Sequence, residues 1–342
     1  MYQRTITATV PIRICDLGGW TDTWFAGHGV VCSLAVNPGV VVQVQLTTRQ
    51  TARQAVRLVV HNYGELLHYP GDTPRHPLLH AAIATNPIPG EYDAEIAVSS
   101  DIPPGCSTGT SAAVSVALIG ALRAAQGLIE PPANLSRAAH LLETQELGLQ
   151  SGIQDQIGVA YGGCCFIEMT QYPDASVCAV PLSDTTIAEL NEQLLLFYVG
   201  TPHLSSAIHQ QVIARLESVS DKNTLLDPLR VAAAQGHAAL RAEDLQAYGR
   251  ALQANTDAQR ALHPGLIAPQ AEQLIELANT HGAWGNKVNG AGGDGGSVAV
   301  LTSPDLEQRA SFVRAVAACL PRMQQIAITY APHGIHITDR EV

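Results

Sequence analysis

Residues 101–113 read DIPPGCSTGTSAA and join two segments of different pattern. Before them, apolar residues alternate with polar ones, which predicts a strand over about residues 92–99. After them, Ser111 to Ala125 is small and apolar nearly all round, as in a buried helix, and Gly127 stands where such a helix would stop. The turn fits two chemistries. G-x-S-x-G is the nucleophile elbow of serine hydrolases, and a glycine-rich turn before a helix is a place where backbone N–H groups hold phosphate.

The two prolines of this stretch favour phosphate binding over a nucleophilic Ser107. Pro103 and Pro104 would end the strand early and make a longer loop than the tight elbow of a hydrolase. Glycines, hydroxyl side chains and a following helix suit phosphate oxygens. No lysine is present, so the loop is not a Walker A motif. A plain turn that caps a buried helix remains open on this motif alone.

Composition sets the broad class of the chain. It has 342 residues, which favours two domains, and a formal net charge of −11, which disfavours nucleic acid and anionic membranes as partners. Its seven cysteines include no C-x-x-C pair, so neither a disulfide scaffold nor a zinc site is indicated. With no signal-like or membrane-spanning apolar run, a cytoplasmic protein is expected.

The order of predicted elements indicates an α+β protein with two domains, residues 1–185 and 186–342. Strands and helices mix without regular βαβ alternation in both halves. Asn134 or Ser136 is predicted to cap a helix that reaches about Leu147. Beyond a composition shift near 183–187, the pattern predicts strands near 194–199, 297–301, 325–330 and 334–338, with helices between about 204 and 281.

Two further glycine-containing blocks stand near the ends of the chain. Residues 287–296 read KVNGAGGDGG and contain G-x-G-x-x-G, but a strand-like run follows instead of the helix that a dinucleotide fold requires. The many glycines predict a backbone that a ligand or another loop approaches closely. Residues 11–23 read PIRICDLGGWTDT, with an arginine inside an apolar strand. A structural ion pair and a substrate site are both open there.

Together and in this order, the three blocks resemble the GHMP kinases, the superfamily of galactokinase, homoserine kinase, mevalonate kinase and phosphomevalonate kinase. The first stretch resembles that family's P-P-G-x-G-L-G-S-S-A-A phosphate loop, and the late block its G-A-G-x-G-G loop. The resemblance implies a two-domain fold with a ribosomal-protein-S5-like N-terminal domain and a ferredoxin-like C-terminal domain. Ser107 and Thr108 depart from the usual Gly and Leu, and Asp294 replaces a small residue of the late loop.

The resemblance also implies roles for individual residues, with ATP and Mg²⁺ as cofactors. Asp155, in a G-x-x-D-Q segment, would face the hydroxyl to be phosphorylated, and Arg13 would lie near the transferring phosphoryl group. Ser111 and Glu143 would hold Mg²⁺, and Glu146 is the alternative surface residue of that helix. The ATP phosphates would be bound by Pro104, Gly105, Cys106, Ser107, Thr108, Gly109, Thr110 and Ser111.

The expected substrate is a sugar, phosphorylated at its anomeric C1 hydroxyl. The GGWTD segment is similar to the G-G-x-[ST]-D of fucokinase and heptose 7-phosphate kinase, and His203 stands where their Y-T-G-x-x-R segment has arginine. The few cations favour an unphosphorylated sugar. The predicted substrate-binding residues are Gly19, Trp20, Thr21, Asp22, Asp155, Gly163, His203, Gly292 and Gly293. A mevalonate-type kinase and a non-catalytic sugar or ATP sensor are the alternatives, and the protein is expected as a monomer or homodimer.

Overall fold

The computed structural model describes residues 3–71, 75–200, 205–293 and 295–341, apart from the side chains of residues 205–207. The first half of the chain forms a large mixed sheet with helices packed against it. Its elements are β1 (Gln3–Leu17), β2 (Gly29–Thr48), β3 (Val56–Val60), β4 (Glu65–Tyr69), α1 (Pro77–Thr85), β5 (Tyr92–Ser100), α2 (Thr110–Ala125), α3 (Pro132–Leu141), α4 (Gln154–Tyr161), β6 (Cys164–Gln171) and β7 (Asp174–Ala179).

The second half of the chain builds a smaller antiparallel sheet and a set of helices. These elements are α5 (Asp184–Gln193), β8 (Leu194–Tyr198), α6 (Ser205–Ser218), α7 (Asn223–Arg241), α8 (Leu245–Leu262), α9 (Pro269–Thr280), β9 (Gly285–Val288), β10 (Ser297–Leu301), α10 (Leu306–Cys319), β11 (Gln324–Ile326), β12 (Thr329–Tyr330) and β13 (His336–Glu341). No helix in these ranges is long and apolar enough to cross a membrane.

Strand order places both ends of the chain in the large sheet. That sheet runs β13-β1-β2-β5-β3-β4, with β6 and β12 also paired to β2, and the small sheet runs β11-β8-β10-β9. All pairings between these strands are antiparallel except β3 with β5. The mixture of helices and antiparallel strands confirms the α+β prediction. Because β12 and β13 pair with the first sheet, the division at residue 185 stays a prediction.

The structure confirms the strand, loop and helix that the sequence predicts around the glycine-rich stretch. Strand β5 ends at Ser100, and α2 begins at Thr110, so a nine-residue loop separates them as the prolines predict. Alternating residues of β2, such as Val42 and Val44, are fully buried with the apolar side of α2 in one core cluster. This packing fixes the loop at the end of the sheet.

The predicted cap of the next helix is wrong. Helix α3 begins one turn earlier, at Pro132, and Pro131 at its N-cap offers no side-chain hydrogen bond. Proline suits the first helical position because its missing N–H would have had no helical partner there. The Asn134 side chain donates to Glu130 instead, and the Ser136 hydroxyl donates to the carbonyl of Ala133.

Candidate active site

A cleft of about 670 Å³ opens between the glycine-rich loop, the segment after β1 and the segment before α4. It brings together most of the site residues that the sequence predicts, from stretches more than a hundred positions apart. Its lining consists of Arg13, Trp20, Asp22, Thr23, Trp24, Phe25, residues 105–111, Glu143, residues 148–152, Gln154, Asp155, His209, Gln210, Gly290 and Ala291.

The glycine-rich loop has an unusual backbone that helps to form one wall of the cleft. Gly105, Ser107 and Gly109 all have positive φ angles of 77°, 58° and 71°. Gly109 is the N-cap of α2 and provides no side-chain hydrogen bond there. A helix N-terminus next to a loop of this kind favours anions through its N–H groups and its dipole. Pro104 lies just outside the lining, and its carbonyl accepts a hydrogen bond from the Tyr198 hydroxyl.

Arg13 connects this loop to the predicted catalytic acid. Its Nε lies 2.8 Å from Asp155 Oδ1, and its Nη1 donates to the carbonyl of Ser107 at 2.7 Å. The side chain is only 3% exposed. Burial alone would lower the pKa of Arg13, but the carboxylates of Asp155 and Asp16 raise it above its ordinary value. The guanidinium therefore stays charged, held between the acid and the loop.

Glu143 lies in a π-helical turn, Leu142–Glu146, and points into the protein. Its Oε2 accepts hydrogen bonds from Ser151 Oγ at 3.0 Å and Gln156 Nε2 at 2.9 Å. Its Oε1 is buried without a hydrogen-bond partner in the described structure. Burial, with a smaller contribution from Asp155, raises the pKa of Glu143 to about 7. Glu146 is exposed, so the structure selects Glu143 as the acid at the cleft.

The donor set fits Mg²⁺, which binds hard oxygen ligands and keeps several waters. Glu143 offers an unpartnered carboxylate oxygen, and Ser111 lines the same cleft with an exposed side chain. Among the described residues no group of three or more His, Cys, Asp or Glu side chains could hold a metal ion. Phosphate oxygens and water would have to complete the coordination.

Asp22 lines the same cleft and is almost completely buried. Its Oδ2 accepts a hydrogen bond from the backbone N–H of Gln154 at 3.0 Å. Burial raises the pKa of Asp22 to about 6, and the hydrogen bond from Gln154 opposes this rise. The backbone at Gly152 packs closely against this carboxylate, since a Cβ there would lie 2.2 Å from Asp22 Oδ2.

Of the other residues of the GGWTD segment, one lines the cleft and the others shape the turn around it. Trp20 lines the cleft and contacts the ring of His209 edge-on at 5.0 Å between centroids. Thr21 donates its hydroxyl to the carbonyl of Gly18 and is outside the lining. Gly19 is also outside the lining, where a Cβ would meet Asp16 Oδ2 at 2.9 Å. These two positions shape the turn that presents Trp20 and Asp22.

Besides Gly19, three more predicted substrate-binding glycines do not line the cleft. Gly163 is held between backbone groups, donating to the carbonyl of Ala331 and accepting from the N–H of Ala35. A Cβ at Gly292 would lie 2.1 Å from the carbonyl of Leu266, and the N–H of Gly293 donates to that same carbonyl. At these three positions, close contacts with neighbouring backbone account for the glycine, and a ligand does not. His203 and Asp294 lie outside the described residues.

Sequence reasoning missed a buried ion pair beneath the cleft. Lys287 is fully buried, and its Nζ lies 3.2 Å from Asp16 Oδ1 and 3.2 Å from Gln259 Oε1. Burial lowers the pKa of Lys287, while Asp16 raises it in part. Asp16 also accepts from the N–H of Gly290 at 3.1 Å and lies 3.9 Å from Arg13. The sequence signal for this ion pair was an acid in one apolar strand and a lysine in another, since each is costly to bury alone.

Two stretches of the chain match a known protein family. Residues 78–163 match the family described as GHMP kinases N terminal domain, and residues 237–322 match GHMP kinases C terminal. The chain is 24% identical to L-fucokinase/L-fucose-1-P guanylyltransferase of Bacteroides fragilis, over 96% of this chain and 38% of that protein. It is 26% identical to mevalonate kinase of Thermococcus gammatolerans, over 68% of this chain and 66% of that protein.

Solved structures share the fold. A D-glycero-D-manno-heptose 1-phosphate kinase from Bacteroides thetaiotaomicron superposes with a TM-score of 0.73 at 19% identity, covering 97% of this chain and 98% of that one. Among curated relatives, the chain spans only 32–38% of the length of the two fucokinase-containing proteins that it matches.

Proposed function

Since this chain belongs to the GHMP kinase family, we propose that it transfers the γ-phosphoryl group of ATP to a hydroxyl of a sugar, and that this is the anomeric C1 hydroxyl. The observation that carries the proposal is the position of Arg13, which contacts both Asp155 and the glycine-rich loop in one cleft. The relatives named fucokinase and heptose phosphate kinase support a sugar as the acceptor.

The geometry suits phosphoryl transfer, which depends mainly on positioning and on neutralising charge. The sugar hydroxyl oxygen attacks the γ-phosphorus, the bond from that phosphorus to the β–γ bridging oxygen breaks, and ADP leaves. Asp155 orients the attacking hydroxyl and takes its proton, while its Oδ1 remains paired with Arg13. Arg13 also stabilises the negative charge that develops beside the loop.

Mg²⁺ held by Glu143 and Ser111 would neutralise phosphate charge when bound.

Ser107 is not assigned as a nucleophile. Strand β5 ends at Ser100, so Ser107 does not follow a strand directly as a hydrolase elbow requires. The seven cysteines are all free thiols, which supports the proposed cytoplasmic location.

A mevalonate-type kinase is less well supported by this cleft. An acceptor with a carboxylate would have to lie among Asp22, Asp155 and Glu143, since all three line the same cleft. Several carboxylates in one cleft disfavour binding of an acid. A non-catalytic sensor would not need the ion pair between Arg13 and Asp155.

The test is ADP release from Mg-ATP with a panel of free hexoses, 6-deoxyhexoses, pentoses, uronic acids, heptoses and heptose 7-phosphate, with mevalonate as control. We expect turnover with a sugar and an acid-labile sugar 1-phosphate as product. ATP binding without turnover on any sugar would contradict the proposal and favour the sensor.

Single substitutions test the role proposed for each residue. Asp155→Ala and Glu143→Ala are expected to lower kcat by about 100-fold or more. Glu146→Ala is the matched control for Glu143, because Glu146 is exposed in the same turn, and it should keep wild-type activity. Ser107→Ala should retain substantial activity, and its complete inactivation would count against a phosphate-binding loop.

A further inference from the structure

Asp16 lies near the end of β1, and its side chain is fully buried. Both of its carboxylate oxygens lie 3.1 Å from the backbone nitrogen of Gly290, which donates to them. Gly290 belongs to the loop after β9, residues 289–293, called here the late loop. Asp16 Oδ1 also lies 3.2 Å from Lys287 Nζ and 3.9 Å from Arg13 Nη1. One carboxylate therefore joins the late loop to the arginine of the proposed mechanism.

The late loop packs directly against the glycine-rich loop at Gly290. A Cβ at Gly290 would lie 2.9 Å from the carbonyl oxygen of Ser107 and 3.3 Å from Arg13 Nη2. Arg13 donates to that same carbonyl through Nη1. Gly290 and Ala291 also line the cleft. A displacement of Gly290 would therefore move both the Ser107 carbonyl and the guanidinium of Arg13.

Two acids contact different nitrogens of Arg13. Its Nε donates to Asp155 Oδ1 at 2.8 Å, and its Nη1 lies 3.9 Å from Asp16 Oδ1. The second distance is too long for a direct hydrogen bond, so Asp16 acts on Arg13 through its charge. Solvent screens this attraction little, because Arg13 is 3% and Asp16 0% exposed. Without the Asp16 charge, the pull of Asp155 on the guanidinium would be less opposed.

Stability is a weak explanation for the ion pair between Asp16 and Lys287, in which both side chains are fully buried. Attraction often fails to repay the desolvation of two buried charges, and apolar residues of similar volume can give equal or higher stability. The contact with Gly290 explains the carboxylate better. An amide would accept at one position and donate at the other, whereas the Gly290 N–H needs an acceptor at both.

We propose that Asp16 is a positioning residue for phosphoryl transfer. Its carboxylate, balanced by Lys287, holds Gly290 and Arg13 so that the guanidinium stays at the glycine-rich loop and beside Asp155. Asp16 is outside the cleft lining, so it acts through these groups and not on the reacting atoms. The inference rests on the proposed kinase function and adds a residue to the machinery of that cleft.

The experiment separates catalysis from stability by comparing Lys287→Met with the double variant Asp16→Asn plus Lys287→Met. The double variant leaves neither charge of the pair unbalanced, so its melting temperature should exceed that of Lys287→Met. Its kcat with Mg-ATP and the best sugar should nevertheless lie about 10- to 100-fold below wild type, because Arg13 is displaced. KM for both substrates should stay close to wild type, since the displaced charge acts mainly in the transition state.

Lys287→Met keeps the carboxylate that holds Gly290 and Arg13. It should therefore be the less stable of the two variants and the more active one for each folded molecule. A purely structural role would rank the two variants in the same order for stability and for activity. Calorimetric titration with Mg-ADP counts the binding-competent molecules in each sample, and kcat is expressed per competent molecule.

Leu58→Ala is the control for lost stability alone. Leu58 is fully buried in β3, which contributes no residue to the cleft lining. The substitution leaves a cavity in the core and should lower the melting temperature. At a temperature at which this variant stays folded, its kcat per competent molecule should equal that of wild type.

The inference is overturned if the double variant is at least as active per competent molecule as Lys287→Met, or if Leu58→Ala loses as much kcat as the double variant. Asp16→Leu plus Lys287→Met replaces the first double variant if that one does not fold, with the same expected order. No turnover by the wild-type protein on any sugar would instead contradict the proposed function, and this inference with it.

Discussion

The buried carboxyl group of Asp22 is expected to cost stability at the pH at which the protein works. Burial raises its pKa from 3.8 to about 6, which corresponds to about 3 kcal/mol against folding when the group is charged. Below pH 3.8 the group is neutral in both states, and it costs nothing. Between pH 3.8 and 6 the unfolded chain loses this proton first, so stability falls as pH rises. Above pH 6 the full cost remains.

Asp22→Asn removes this cost, because an amide is neutral at every pH and its oxygen can still accept from the Gln154 N–H. The expected gain in the free energy of unfolding is about 1.5 kcal/mol at pH 5 and about 3 kcal/mol at pH 7.5. An unfolding entropy of about 2.1 cal/mol/K per residue converts these gains into roughly 2 °C and 4 °C in melting temperature for 342 residues.

The assay is thermal unfolding of the ligand-free protein at both pH values, by circular dichroism or calorimetry. Asp174→Asn is the control, since Asp174 is an exposed acid in a strand, and it should change neither value. Sugar kcat/KM should fall in Asp22→Asn although the protein is more stable, because we propose that this cleft-lining carboxylate binds the acceptor. A variant less stable than wild type at pH 7.5, or a gain that does not grow from pH 5 to 7.5, would refute the reasoning.

Two further substitutions test the packing beneath and beside the cleft. Lys287→Met removes the nearest cation of the Asp16 carboxylate, so urea titrations should show a loss of about 3–5 kcal/mol. Adding Asp16→Asn should restore part of that loss, and a single-variant loss below about 1 kcal/mol would contradict a buried ion pair. Gly152→Ala would place a Cβ 2.2 Å from Asp22 Oδ2, and sugar kcat/KM should fall with KM for ATP unchanged. Gly90→Ala, with open space around its Cβ position, should leave the kinetics unchanged, and equal kinetics in both variants would speak against the close packing.

The sequence determined the local structure around the glycine-rich stretch. Alternating residues predicted β5, the small apolar run predicted α2, and the two prolines predicted the loop between them. Each of these features depends on neighbours within a few positions, where backbone preference and hydrophobic period act. The family was also accessible, because three short motifs in a fixed order carry it. The cap of α3 was predicted wrongly, since proline at the first helical position served in place of a side-chain cap.

Only the tertiary structure decided which of the motif residues meet. Arg13 contacts Asp155 across 142 positions, and Lys287 contacts Asp16 across 271. Glycines predict a close approach but not the approaching group, so Gly163, which lies against backbone, could not be separated from the glycines of the glycine-rich loop. Burial of Glu143 depends in the same way on the elements that pack around it. Such contacts form only when distant parts of the chain pack together, because desolvation and pairing depend on everything around a group and not on its neighbours in sequence.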